Sequence, residues 1–208
     1  MNKKLLLGLN TLILLLALAG CDLSSNPALD ELNPQTYNHL TGYSILVPQD
    51  WNLEEETDTT ALFLDPEGSM ALQIISEIGG MDYYSLDECA DFAKAMLAQS
   101  LNELSLKEDL SVRDKAKSRL QLWQGREEDG NLVQALAYTF HPYDSMRYYV
   151  FLLAGGSDFQ QYQKVFEAMI SSFSINKPVD EIYELLNKEP DEAEDTIEED
   201  TDKEPEGF

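Results

Sequence analysis

RYYVFLLA, from Arg147 to Ala154, is the stretch on which the fold turns. As a strand it points Tyr148, Val150 and Leu152 one way and Tyr149, Phe151 and Leu153 the other. Both faces are apolar. Such a strand belongs in the middle of a sheet covered on both sides.

Working outward from it, the turn HPYDS precedes the strand, and before that turn runs LVQALAYTF, Leu132 to Phe140. A turn at Asp129 and Gly130 separates this from RLQLWQG, Arg119 to Gly125, which makes three strands in succession. After Ala154 the chain turns into a helix that Ser157 or Asp158 can cap, with a stripe of Phe159, Tyr162, Phe166, Met169, Ile170 and Phe173. Further upstream, YSILV at Tyr43 to Val47 reads as a strand that Pro48 ends, and ALFL at Ala61 to Leu64 as a second. The turn DPEG then joins ALFL to MALQIIS, Met70 to Ser76.

Ser85, with Glu88 three residues on, forms a capping-box pattern. The helix it opens would carry Leu86, Cys89, Ala90, Ala93, Met96, Leu97, Leu101 and Leu104 on one stripe. The order is three strands, a helix, three strands and a helix, with connections too short for parallel crossovers. The expected class is α+β, a mainly antiparallel sheet of about six strands with flanking helices.

YSILVPQDW, Tyr43 to Trp51, and the helix ending ISSFSI, with Ser172 and Phe173, resemble the PsbP-like and DcrB-like domains. In those families a short strand runs into a Pro-x-x-Trp turn and the closing helix ends in Ser-Phe. The resemblance covers Tyr43 to Ile175 and implies an antiparallel sheet sandwiched by helices. It also implies a non-catalytic domain that attaches to a larger assembly, with no catalytic residues to carry over.

The 208 residues, 43% hydrophobic and 10% aromatic, suffice for one core-forming domain with appendages. A net charge of -25, from 14 basic and 39 acidic residues, argues against nucleic acid, whose phosphates it would repel. The same charge disfavours adhesion to anionic lipid by electrostatics alone.

At the N-terminus Lys3 and Lys4 precede an apolar run from Leu5 to Leu18, and the small residues Ala19 and Gly20 precede Cys21. This is the layout of a secretory signal, too short to serve well as a spanning anchor. Leu18, Ala19, Gly20 and Cys21 are similar to the lipobox of bacterial lipoproteins, Leu-Ala-Gly-Cys. That resemblance implies a signal peptide over 1–20, cut before Cys21, and a diacylglycerol thioether on the Cys21 sulfur. Two acyl chains would hold the chain on a bilayer, where one of about 14 carbons binds only marginally. The expected location is therefore the extracytoplasmic face of a cell membrane.

From Cys21 to Thr36 two Asn-Pro pairs and no apolar period read as a flexible tether, able to span roughly 20 Å. The globular domain is expected over 37–176. Val179, Ile182, Tyr183 and Leu186 then mark a short amphipathic helix over 177–188, too short to stand alone. It must dock on its own domain or, as the second reading, in a partner's groove. From Glu189 the tail holds eleven acidic residues and one lysine, which predicts disorder over 189–208.

No defined metal site is expected in that tail, since the EF-hand spacing is absent. The run EEETD, Glu54 to Asp58, reads as a solvated loop. Only His39 and His141 could serve as bases near neutral pH, and neither belongs to a catalytic motif. Nucleophile elbow, zinc helix, phosphate loop and paired cysteines are all missing. Cys89 lies one turn inside a helix, where an exposed thiol would be activated, but it shares the apolar stripe and reads as packing. No catalytic residue and no cofactor are expected.

The expected function is a membrane-anchored module that binds a protein partner of an envelope assembly. The alternatives are a small-ligand-binding lipoprotein, recognisable by a pocket with convergent polar groups, and an enzyme. An enzyme would need a cleft joining His141 to Cys89 or to a carboxylate.

Overall fold

The computed structural model describes residues 29–79, 85–110, 117–143 and 145–186. A 3-10 helix at Leu29–Leu32 leads into β1 (Pro34–Asn38), β2 (Tyr43–Pro48), β3 (Asn52–Glu56), β4 (Thr60–Leu64) and β5 (Met70–Ile78). Then come α1 (Leu86–Leu97), β6 (Asn102–Leu110), β7 (Ser118–Arg126), β8 (Leu132–Tyr143) and β9 (Met146–Gly155). The described chain closes with α2 (Gly156–Ser172), β10 (Ser174–Ile175) and α3 (Val179–Leu186).

β9 is the middle strand of a seven-stranded sheet of order β3-β4-β5-β9-β8-β7-β6. Tyr148, Val150 and Leu152 enter the core on the α2 side, while Tyr149, Phe151 and Leu153 enter a second core under α1. The expected two-sided burial follows, and with it the α+β class: every strand pairing among the described residues is antiparallel.

The sheet departs from expectation at its margins. YSILV does not join it: β2 sits in a separate three-stranded sheet, β1-β2-β10, stacked on the α2 side. Ser172 ties α2 to that sheet, its Oγ donating to the Met169 carbonyl at 2.6 Å and accepting from the Leu46 N–H at 2.8 Å. The two strands added to the large sheet, β3 and β6, are its edges and mostly exposed. Glu54 to Glu56 therefore lie on an edge strand, not in a loop. Charged side chains on such an edge discourage pairing with other chains.

The tether expected over 21–36 is cut short from its C-terminal side. Leu29 is buried against the core, and β1 pairs with β2 from Pro34↔Pro48 to Asn38↔Ser44, so Leu29 to Thr36 belong to the folded domain. Two turn-favouring Asn-Pro pairs concealed an edge strand whose side chains are largely exposed. Cys21, its lipobox and the acidic tail 189–208 lie outside the described residues.

α1 opens on the expected capping box, with the Ser85 Oγ accepting from the Glu88 N–H and the Glu88 carboxylate accepting from the Ser85 N–H. It stops at Leu97, short of Leu101 and Leu104, because the Ser100 and Leu101 N–H groups both turn back to the Leu97 carbonyl. Leu101 instead plugs the end of the second core against Gly125, where an added Cβ would stand 2.8 Å from the Leu101 Cβ. Gly125→Ala is expected to cost about 2 kcal/mol by overpacking, read as a lower urea midpoint at unchanged slope.

α2 is capped by Gly155 without a side-chain hydrogen bond, not by Ser157 or Asp158. The helix begins one residue after the strand, so Asp158 falls inside its first turn. α3 folds back on its own domain, with Ile182 fully buried in the α2-side core.

Candidate functional site

His39, His141 and Cys89 are all buried. His39 is buried in the turn between β1 and β2 and serves as a structural hub. Its Nε2–H donates to the Thr57 carbonyl at 2.9 Å, which fixes the neutral tautomer with Nδ1 as acceptor. Nδ1 accepts from the Thr41 N–H at 3.2 Å and lies 2.7 Å from the Thr41 Oγ1, which in turn meets the Ser76 Oγ at 2.8 Å. The Tyr148 hydroxyl donates to the Thr41 carbonyl at 2.7 Å. One imidazole thus ties the small sheet to the β3–β4 turn and, through Thr41, to β5 and β9.

Burial pushes the His39 pKa below its ordinary 6.5, against the opposing pull of the Thr57 carbonyl, Glu56 and Asp58. The folded state therefore binds this proton less readily than the unfolded chain does. The stability that neutral His39 contributes is present above its ordinary, unfolded pKa and is lost as pH falls through the folded value. Urea unfolding at about pH 7.5 and about pH 5.5 should show that loss, and His39→Gln should flatten it. An unchanged pH slope in the variant would place the titrating group elsewhere.

Cys89 is buried under α1, and burial drives its thiol pKa up, partly offset by Arg147 and a hydrogen bond with Tyr149. A thiol held protonated in a closed core is neither nucleophile nor metal ligand. Tyr148 and Tyr149 are core residues as well. No group of three or more histidine, cysteine, aspartate or glutamate side chains able to hold a metal ion occurs among the described residues.

A concave site does form where four segments meet at one end of the sheet. The β2–β3 turn brings Asp50 and Trp51, the β4–β5 turn brings Asp65 and Glu67, and the first turns of α2 bring Asp158 and Tyr162. The cavity they enclose is about 140 Å³, and Leu32, at the end of the 3-10 helix, also lines it. No lysine, arginine, histidine or cysteine lines it among the described residues.

Each group is there for a local reason. Asp65 holds the DPEG turn: its Oδ1 accepts from the Met70 N–H at 2.7 Å, and its Oδ2 from the Ser69 hydroxyl at 3.2 Å and the Glu67 N–H at 3.4 Å. Asp158 takes the first-turn position that the positive end of the α2 dipole favours. Trp51, only 5% exposed, is the second aromatic residue of the lining.

The tyrosine reports the field in the cleft. Burial raises the Tyr162 pKa first, and Asp65, Asp158, Glu67 and Asp50 then raise it further, because a phenolate there would face all four carboxylates. A concave surface with four acidic groups, two aromatic walls and no cation focuses negative potential. It favours a bound cation over an anion.

Cys89 is core packing, as its place on the apolar stripe implied, while the cleft went unseen in the sequence. Its residues were each legible locally: DPEG as a turn, Asp158 as a helix-start residue, Trp51 as the end of a Pro-x-x-Trp turn. Their convergence depends on how the small sheet stacks against α2 and the large sheet, which no local pattern encodes.

No protein-family model matches the chain, and no curated protein matches it in sequence. Its fold is similar to that of solved structures. One is the Ran-binding protein Mog1p of Saccharomyces cerevisiae, with a TM-score of 0.54 and 8% identity over 70% of this chain and 96% of that one. Another is the cyanobacterial PsbP, CyanoP, of Synechocystis, with a TM-score of 0.54 and 16% identity over 76% of this chain and 97% of that one. The likeness to CyanoP agrees with the PsbP-like resemblance. At these identities both likenesses are of fold alone.

Proposed function

We propose that the chain is a lipid-anchored, extracytoplasmic module that acts by non-catalytic binding, with the acidic cleft between Trp51 and Tyr162 as its contact. The observation that carries this reading is the cleft: a concave site where polar groups converge beside Trp51 and Tyr162. Its position adds support. Leu32 of the 3-10 helix is among the lining residues, and a lipid on Cys21 would tether the N-terminal side of the domain to the bilayer.

Folds of this kind are compatible with protein partners, since the yeast neighbour is a Ran-binding protein. The C-terminal helix is a poor candidate for the contact, because its apolar anchor Ile182 is already spent on its own domain. A small organic ligand is the second reading, favoured by the cavity's modest volume of about 140 Å³.

The test uses the full chain in its own membranes. Labelled palmitate should be incorporated, and Cys21→Ser should abolish the label and release the chain from the membrane fraction. A photo-reactive residue placed at the exposed Glu67 should then give a discrete adduct that the same probe at Leu106, on the far edge strand β6, does not. Loss of label with unchanged membrane retention would remove the lipid anchor from this reading. Equal adducts at both positions, or none at Glu67, would remove the cleft.

A further inference from the structure

α3 is held by the same turn that holds His39. Gly42 ends the β1–β2 turn at φ of +75°, and its carbonyl accepts from the Asn176 N–H at 2.8 Å. The Asn176 Nδ2 donates to the Asn38 Oδ1 at 3.1 Å, on the other side of the turn. Ile182 sits so close to Gly42 that an added Cβ would stand 2.4 Å from its Cδ1. The segment leading into α3 and the apolar anchor of α3 therefore both rest on residues that flank His39. A helix of this length does not persist undocked.

The turn keeps its shape by using a neutral imidazole as an acceptor. The Gly42 N–H closes on the His39 carbonyl at 3.0 Å, and the Thr41 N–H lies 3.2 Å from the His39 Nδ1. A proton on Nδ1 turns that acceptor into a donor and sets two N–H groups against each other. The Thr41 hydroxyl, at 2.7 Å, can rotate to accept the new proton, but the backbone N–H has no such freedom. Nε2 gives no relief, since it already donates to the Thr57 carbonyl. The Tyr148 hydroxyl pins the Thr41 carbonyl to β9 at 2.7 Å, so the turn yields toward Gly42 and α3.

The groups that face the ring come from three strands and a turn. Glu56 of β3 and Asp58 of the β3–β4 turn bring carboxylates, Tyr37 of β1 lies at 6.1 Å between ring centroids, and Tyr43 of β2 stacks at 4.9 Å. Burial of the ring, which is 2% exposed, lowers its proton affinity and outweighs the pull of the Thr57 carbonyl and the two carboxylates.

We propose that the β1–β2 turn is an acid-sensitive latch: protonation of His39 at Nδ1 releases α3 from Gly42 and frees Val179, Ile182 and Leu186 while the two sheets stay folded. Opening returns His39 to its ordinary proton affinity, so the closed form is favoured above the ordinary pKa of 6.5 and the open form gains as pH falls below it. The latch does not depend on the cleft.

Hydrogen exchange of the full chain in detergent micelles, read by mass spectrometry and corrected for the intrinsic pH dependence of exchange, gives one protection factor for 177–186 and another for β9. Between about pH 7.5 and about pH 5 the protection of α3 should fall about tenfold, with β9 remaining far the slower to exchange. The fall should set in near pH 6.5, in the histidine range and not below about pH 5, where carboxylates titrate. His39→Gln, which carries no titrating group there, should abolish the fall, and His141→Gln should retain it. If His39→Gln does not fold, the onset in the unaltered chain and the behaviour of His141→Gln decide.

Protection of α3 that stays flat while that of β9 falls would mean that His39 is freed only by global unfolding, and would overturn the latch. So would a fall that begins only below about pH 5, one that persists in His39→Gln, or one that vanishes in His141→Gln.

Discussion

Phe173→Ala should remove about 4 kcal/mol of stability, a large part of the 5 to 15 kcal/mol that folded domains of this kind possess in all. Phe173 is the cap residue of α2 and 1% exposed, and it sits where α2, the small sheet and the large sheet meet. Its ring stacks on Tyr43 at 5.3 Å and meets Tyr148, Tyr138 and Phe140 at 5.5, 6.1 and 6.2 Å. Truncation leaves a cavity lined by four rings that cannot collapse into it, because they are held by three different strands, β2, β8 and β9. The loss therefore includes the cavity cost as well as the transfer free energy. Thermal unfolding should fall by about 10 °C or more, and the urea midpoint should drop at constant slope. Phe173→Leu, which keeps most of the volume, should cost less than half as much. Equal losses for the two variants would mean that the ring cluster is not what holds the layers together.

Gly42→Ala should be nearly as damaging, through a different mechanism. Gly42 has φ of +75°, a conformation that costs an L side chain about 1 kcal/mol or more. A Cβ added there would stand 2.4 Å from the Ile182 Cδ1 and 2.9 Å from the Lys177 Cβ, so α3 would have to shift or leave. Strain and displacement together should cost about 3 kcal/mol. Limited proteolysis should then cut between Asn176 and α3 before it cuts the sheet. Ile182→Ala alone should cost about 3 kcal/mol by emptying its core position. Because the two substitutions act on one contact, the double variant should be more stable than the sum of the singles predicts. Strict additivity would show that α3 is not docked through this glycine.

The residues that reveal the fold and those that hide it differ in kind. RYYVFLLA announced a central strand because both of its faces are buried, which leaves no polar alternation to confuse the pattern. The capping box at Ser85 and Glu88 was equally plain, since it depends on residues within one turn. β3 and β6 were concealed because edge strands are half solvated and need no apolar face. NELSLKEDL becomes a strand by pairing with β7, helped by the Arg119–Asp109 ion pair at 2.5 Å across the two strands. Leu101 and Leu104 extended the helical stripe by coincidence of spacing, and the chain turned at Leu97 to bury Leu101 against a glycine.

By itself the sequence determined the α+β class, the central place of β9, the capping of α1 and the absence of a recognisable catalytic motif. All of these follow from local periodicity and residue chemistry, which act over a few residues. Tertiary structure alone decided that YSILV belongs to a second sheet, that Leu29 is buried in the core, that His39 is a buried tie and that Ile182 closes on Gly42. It also decided that Asp50, Trp51, Asp65, Glu67, Asp158 and Tyr162, more than a hundred residues apart at the extremes, share one cleft. Their meeting depends on how layers stack, and stacking is set by the summed burial of side chains on separate elements. No short window of sequence contains that sum.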